Sequence, residues 1–218
     1  MTNRTKNFIL VFGSCSALGL LLLTARIYWS HQVYYLFLVW NLFLAWIPFL
    51  CAIGLEEAQR SRAPRPVAFG LLALWLLFFP NSPYIITDLF HLHHHRSALP
   101  LWFDLALILC FAWTGLMLGY ASLFKIHRHV SARVGPRAGW MFAVAAVFLC
   151  AYGIYLGRFE RWNSWEVLSD PAALFSNMLD HLIHPMHHTR MIGVTLIFGS
   201  FLMMGYVTLF PFSRQEKE

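Results

Sequence analysis

Apolar residues fall into six long runs, at about 8–25, 33–55, 67–86, 102–124, 138–157 and 191–212, with polar residues gathered between them. Each run approaches the roughly 20 residues that a helix needs to cross a hydrocarbon core about 30 Å thick. A sheet with open edges leaves backbone groups without partners in lipid, so the runs are read as helices. The predicted fold is all-α, a polytopic transmembrane helical bundle of about six spans, forming a single membrane domain over 1–218. Arg4 and Lys6 precede the first run, and Leu23-Thr24-Ala25 offers no small-x-small cleavage pattern ahead of Arg26, so this run reads as an uncleaved anchor.

Two departures from plain spanning helices organise the rest. The third run breaks at Pro80 and Pro83, inside PNSPYIITDLFHLHHH (80–95). From Val67 to Phe79 a helix rises only about 20 Å, so the break arrives before the far side of the bilayer. Proline removes backbone donors and disfavours helix in the residue before it, and such a break survives in a membrane only against protein or a wet cavity. The second departure lies between spans five and six. Asp170-Pro171 is a helix start, with a capping acid and proline at the first position. Leu174, Phe175, Met178, Leu179, Leu182 and Ile183 then form one apolar stripe, with Asn177, Asp180, His181 and His184 facing away from it. This predicts an amphipathic helix in the outer membrane interface.

Composition agrees with the pattern. The 218 residues are 59% hydrophobic and 12% charged, and the mean hydropathy is +0.58. Lysine and arginine set orientation, because cytoplasmic flanks retain them. One face holds Arg4, Lys6, Arg60, Arg62, Arg65, Lys125, Arg128, Arg133, Arg137, Arg214 and Lys217, eleven of the sixteen; the other holds Arg26, Arg96, Arg158, Arg161 and Arg190. The expected location is therefore the cell membrane with both termini cytoplasmic. The net charge of +6 then lies mainly on the inner face, where it meets anionic membrane lipids rather than nucleic acid. Cys15, Cys51, Cys110 and Cys150 all sit within apolar runs without CxxC spacing and read as packing residues.

That topology places most reactive groups on the extracytoplasmic side. Asp88 and His91 stand at i and i+3 after the break, and Asp104 opens the fourth span. The three are the candidate catalytic residues, as acid and base, and the candidate ligands of a possible divalent metal. The competing reading has these acids neutralising Arg158 and Arg161 in a buried charge network. Arg158 and Arg161, at i and i+3 above the fifth span, suit an anionic headgroup. Asn81, Tyr84 and Thr87 at the break, with Asn163, Ser164 and Trp165, complete the candidate substrate-binding set. The runs His93-His94-His95 and His187-His188 read as solvated loop, because consecutive side chains point in different directions.

WNLFLAWIPF (40–49), LLFFPNSPYIITDLFHL (76–92), WFDL (102–105) and GIYLGRFERWNSWEVL (153–168) resemble the bacterial DUF1361 membrane proteins, a family of unknown function. The resemblance extends over about 33–210. It implies a multi-helix membrane protein whose characteristic polar positions are matched by Asn41, Asn81, Pro83, Tyr84, Thr87, Asp88, His91, Asp104, Arg158, Arg161, Asn163, Ser164 and Trp165. Glu166 stands where family members often carry aspartate. Three functions remain open from the residues themselves: a membrane enzyme acting on a lipid or other anionic headgroup, a transporter or binding protein using the broken third helix and Asn41, and a structural subunit.

Overall fold

The computed structural model describes residues 3–94 and 99–214. His95, Arg96 and Lys217 lie outside the described residues, as do the side chains of Arg4, His93, His94 and Arg214. Among the described residues every regular element is helical: α1 (Asn3–Ser30), α2 (Phe37–Arg60), α3 (Arg65–Phe78), α4 (Asn81–Tyr84), α5 (Leu101–Val134), α6 (Pro136–Phe159), α7 (Glu166–Ser169), α8 (Pro171–Ile183) and α9 (Thr189–Arg214). Runs of 3₁₀ helix cover Tyr34–Leu36, Ile85–His94 and Pro185–His188. Six stretches are long and apolar enough to cross a membrane: Thr5–Ser30, Tyr34–Arg60, Arg65–Leu92, Leu101–Val134, Pro136–Phe159 and Pro185–Pro211. The chain is an all-α, multi-pass membrane protein. Leu21, Phe69, Trp113, Met141 and Ile197 expose their side chains along these helices, as lipid contact requires.

Several helices outrun the hydropathy pattern. Helix α1 continues past Ala25 through Arg26 to Ser30, and ends where His31 takes a positive φ of 52°. Helix α5 continues past Phe124 to Val134, so His127 is helical and buried instead of lying in a loop. Gly135 then turns the chain at φ 95°, a conformation that suits a residue without Cβ, and Pro136 opens α6.

The chain divides into two compact units, Met1–Ile126 and His127–Glu218. The core of the first unit joins Phe12, Leu38, Leu42, Phe49, Ile85, Leu107, Phe111 and Leu118. Helix α5 passes very close to the broken span: a Cβ added to Gly115 would stand 2.5 Å from the Ser82 carbonyl oxygen and 2.9 Å from Ile85 Cδ1. Gly119, one turn on, faces Ser82 Cβ. Small residues spaced by four let helix backbones approach in this way within membranes.

In the second unit α6 packs along α9. Near one end of these helices, Tyr155, Leu156 and Leu174 form a core with Tyr152, Phe159, Trp162, Met178 and Met191 around it. Elsewhere in the unit His127 Nδ1 and the Tyr206 hydroxyl are 2.6 Å apart, with the rings of Trp140 and Phe210 against the imidazole.

Candidate functional site

The break in the third span is a change of helix type rather than an unwinding. In an unbroken helix the carbonyl of Phe79 would accept from residue 83, which is proline and has no N–H. The Ser82 amide donates to it instead, at 3.2 Å. That leaves the Phe78 carbonyl without its own helical donor, and Asn81 Nδ2 donates to it at 3.2 Å. Ser82 Oγ donates to the Ala45 carbonyl of α2 at 3.0 Å, tying the turn to its neighbour. Thr87 Oγ1 donates to the Tyr84 carbonyl at 2.7 Å. Asn81 and Thr87, expected to bind substrate, thus also close the backbone of the break.

From Ile85 the chain winds as a 3₁₀ helix. With three residues per turn, positions i and i+3 eclipse, so Asp88 and His91 stack more directly than they would on an α-helix. Asp88 is buried, at 1% exposure, and its Oδ2 accepts from Asn41 Nδ2 at 2.8 Å. Its Oδ1 lies 3.9 Å from His91 Nε2. That separation is beyond hydrogen-bond reach and within ion-pair range when the ring is protonated. The other ring nitrogen, Nδ1, is 3.2 Å from the Tyr34 hydroxyl, and Phe37 lies against the imidazole at 4.7 Å between ring centres. A buried carboxylate thus stands behind a half-exposed imidazole held between a phenol and an aromatic face.

Asp104 is elsewhere engaged. Its Oδ1 accepts from Arg26 Nε at 2.8 Å and its Oδ2 from Nη2 at 3.4 Å, with both side chains almost fully buried. The guanidinium also lies over the Tyr35 ring, 4.4 Å from its centre. A cation facing Asp104 is thus Arg26, 78 residues away in sequence. Among the described residues no three His, Cys, Asp or Glu side chains are grouped so as to share a metal ion.

The second unit carries its own polar cluster. Helix α6 stops at Phe159 and Arg161 turns to φ 64°, so Arg158 and Arg161 do not share one helical face. The Trp162 amide donates back to the Leu156 carbonyl at 3.1 Å and closes the helix end. The Asn163 amide donates to Glu166 Oε2 while the Glu166 amide donates to the Asn163 carbonyl, a closed turn that gives Glu166 a local structural role. Ser164 and the half-exposed Trp165 lie in the turn between.

Helix α8 starts as the sequence predicts, with the Ala173 amide donating to Asp170 Oδ1 at 3.2 Å. Its inward face differs from the expected stripe: Leu174 and His181 are buried, whereas Phe175, Leu179, Leu182 and Ile183 are exposed. His181 Nδ1 is 2.8 Å from the Tyr152 hydroxyl and its Nε2 is 3.0 Å from Glu160 Oε1. On the outer side, Asp180 Oδ1 meets His184 Nδ1 at 2.9 Å and its Oδ2 meets His188 Nε2 at 2.8 Å. The hydrogen bond from His184, and then that from His188, holds the Asp180 carboxyl below the usual carboxylate range. His187 and His188 belong to a short 3₁₀ turn with these partners, and not to a free loop.

Sequence reasoning missed Arg26 and His181. The signals were present: nothing breaks the helix between Ala25 and Ser30, which puts Arg26 inside a span, and Leu174, Met178 and His181 recur at i, i+4 and i+7. Neither a curated protein nor a solved structure matches the chain. The pattern of the family described as "Protein of unknown function (DUF1361)" matches residues 40–204, and the chain belongs to that family.

Proposed function

We propose that this chain is a membrane enzyme of the extracytoplasmic face, with Asp88 and His91 as its acid–base centre and a lipid or other anionic headgroup as its substrate. The observation that carries the reading is the buried Asp88 carboxylate, fixed by Asn41, behind the half-exposed His91 ring. An imidazole beside a carboxylate and a phenol is suited to take a proton from a substrate hydroxyl or water and return it to a leaving group. Tyr34, on the far ring nitrogen, can donate to Nδ1 or accept from Nδ1–H, so it accommodates the ring in both states. The termini are cytoplasmic in this reading, which puts His91 at the outer headgroup layer.

Asn41, which a transport path would also use, donates to Asp88, and this supports counting it with the acid–base centre. Asp104 is left out of the acid–base centre, because its carboxylate serves Arg26.

The test is conversion of lipid by the purified protein in vesicles of phosphatidylglycerol, phosphatidylethanolamine and cardiolipin, read by mass spectrometry. Wild type is expected to convert at least one headgroup, and His91→Gln and Asp88→Asn to lose about 10²-fold or more in rate while keeping the wild-type melting profile. Equal conversion by wild type and His91→Gln, or none by wild type, overturns the proposal.

A further inference from the structure

We propose that Glu160, His181 and Tyr152 form a proton-binding site buried in the second unit, beside Asp180 and its two histidines. The site is independent of Asp88 and His91 and takes a proton as its ligand.

The ring of His181 is addressed on both nitrogens by groups that themselves carry or release protons. Nδ1 meets the Tyr152 hydroxyl at 2.8 Å, and Nε2 meets the Glu160 carboxylate at 3.0 Å. The second contact is close enough for an ion pair and too far out of line for a hydrogen bond, so Nε2 is buried without a hydrogen-bond partner, and so, separately, is the other carboxylate oxygen, Glu160 Oε2. Asn177 Oδ1, also on α8, is likewise buried without one. Buried polar atoms are normally satisfied, and each exception asks for a cause. Here the cause is a site with room for one more proton than its hydrogen bonds use.

The tautomers explain the coupling. With the proton on Nε2, a charge-favourable N–H faces Glu160 and Tyr152 donates to Nδ1. With the proton on Nδ1, the Nε2 lone pair faces a carboxylate, and the two acceptors repel. A second proton on the ring relieves that conflict and turns the contact into an ion pair. From the Nε2–H tautomer, uptake at Nδ1 reverses the direction of the Tyr152 bond, which then accepts from Nδ1–H.

Two further imidazoles and a carboxylate stand next to the site. The His188 ring stands edge-on to His181, 4.4 Å between centres. His188 binds Asp180, which binds the half-exposed His184. The groups facing His181 are Tyr152 and Tyr155 from α6, Glu160 from the loop that follows, and His188 from the 3₁₀ turn. Asp180 and His184 come from its own helix, and Arg190 of α9 lies nearby over the Phe159 ring. Glu160 is the carboxylate placed to hold a protonated His181.

The experiment is a pH series of ¹⁵N-histidine spectra of the full chain in nanodiscs, with His181 assigned by loss of its signals in His181→Gln. The expected result is that acidification takes His181 from a one-proton to a two-proton ring. Glu160→Gln is expected to move that change to lower pH, and Tyr152→Phe to change the tautomer ratio above it. A His181 that keeps one neutral tautomer across the range in wild type overturns the proposal and makes the residue a packed core histidine. So does a Glu160→Gln protein, folded by its melting profile, whose His181 spectra match wild type.

Discussion

Replacing Asp104 by alanine is expected to be among the most damaging single changes in the first unit. The Arg26 guanidinium is 2% exposed, and with Asp104 gone it keeps only the Ser30 hydroxyl at 3.5 Å, the Gln32 carbonyl at 3.3 Å and the Tyr35 ring. Its Nε and Nη2 lose their acceptors where solvent does not reach. Breaking a buried ion pair by removing one partner costs about 3–5 kcal/mol. At about 1.4 kcal/mol per tenfold, that shifts the folding equilibrium by a hundredfold to several thousandfold. Total stabilities are only about 5–15 kcal/mol, so the loss is large. The double change Arg26→Met, Asp104→Leu removes both charges and keeps apolar volume, and is expected to lie within about 1 kcal/mol of wild type or above it. Reversible unfolding in mixed detergent micelles measures all three proteins. A loss below about 1 kcal/mol for Asp104→Ala, or a double variant less stable than the single one, refutes the reasoning. The double variant also separates stability from chemistry: it should keep the lipid conversion proposed for Asp88 and His91.

Two further outcomes follow from the packing and the outer cluster. Gly115→Ala should cost about 1–3 kcal/mol, because the new methyl meets the Ser82 backbone oxygen rather than a side chain that can move; a melting temperature equal to wild type would contradict the close approach. Because the Asp180 carboxyl is held below its usual range by His184 and His188, its contribution to the α8 end is fully present above that range and is lost as pH falls through the lowered value. Amide exchange at 184–188, corrected for intrinsic rates, should rise below about pH 4 in wild type, and Asp180→Asn should already exchange faster at neutral pH.

Much of the architecture was legible because the membrane imposes it. Apolar length gave six spans, and Asp170-Pro171 gave the start of α8 to the residue. The Pro80 break was legible too, but its form was not: proline rules say which donors are missing, while the 3₁₀ continuation depends on the Asn81 and Ser82 side chains finding the Phe78 and Ala45 carbonyls. The pair Asp88 and His91 was visible at i, i+3. Their partners Asn41 and Tyr34, and the tie of Asp104 to Arg26, join positions 47, 57 and 78 residues apart, and hydropathy carries no information about such pairings. The burial of His181 was hidden for a different reason. Helix α8 is apolar on its exposed side as well as its buried side, so a stripe of large apolar residues does not say which way it faces.

The 3₁₀ winding of Ile85–His94 makes this stretch a reserve of length. A 3₁₀ helix rises about 2.0 Å per residue and an α-helix about 1.5 Å, so ten residues shorten by about 5 Å on conversion. The same conversion takes the angle between positions i and i+3 from about 360° to about 300°, which swings His91 aside from Asp88. Height above the Pro80 turn and alignment of the acid with the imidazole are therefore one variable.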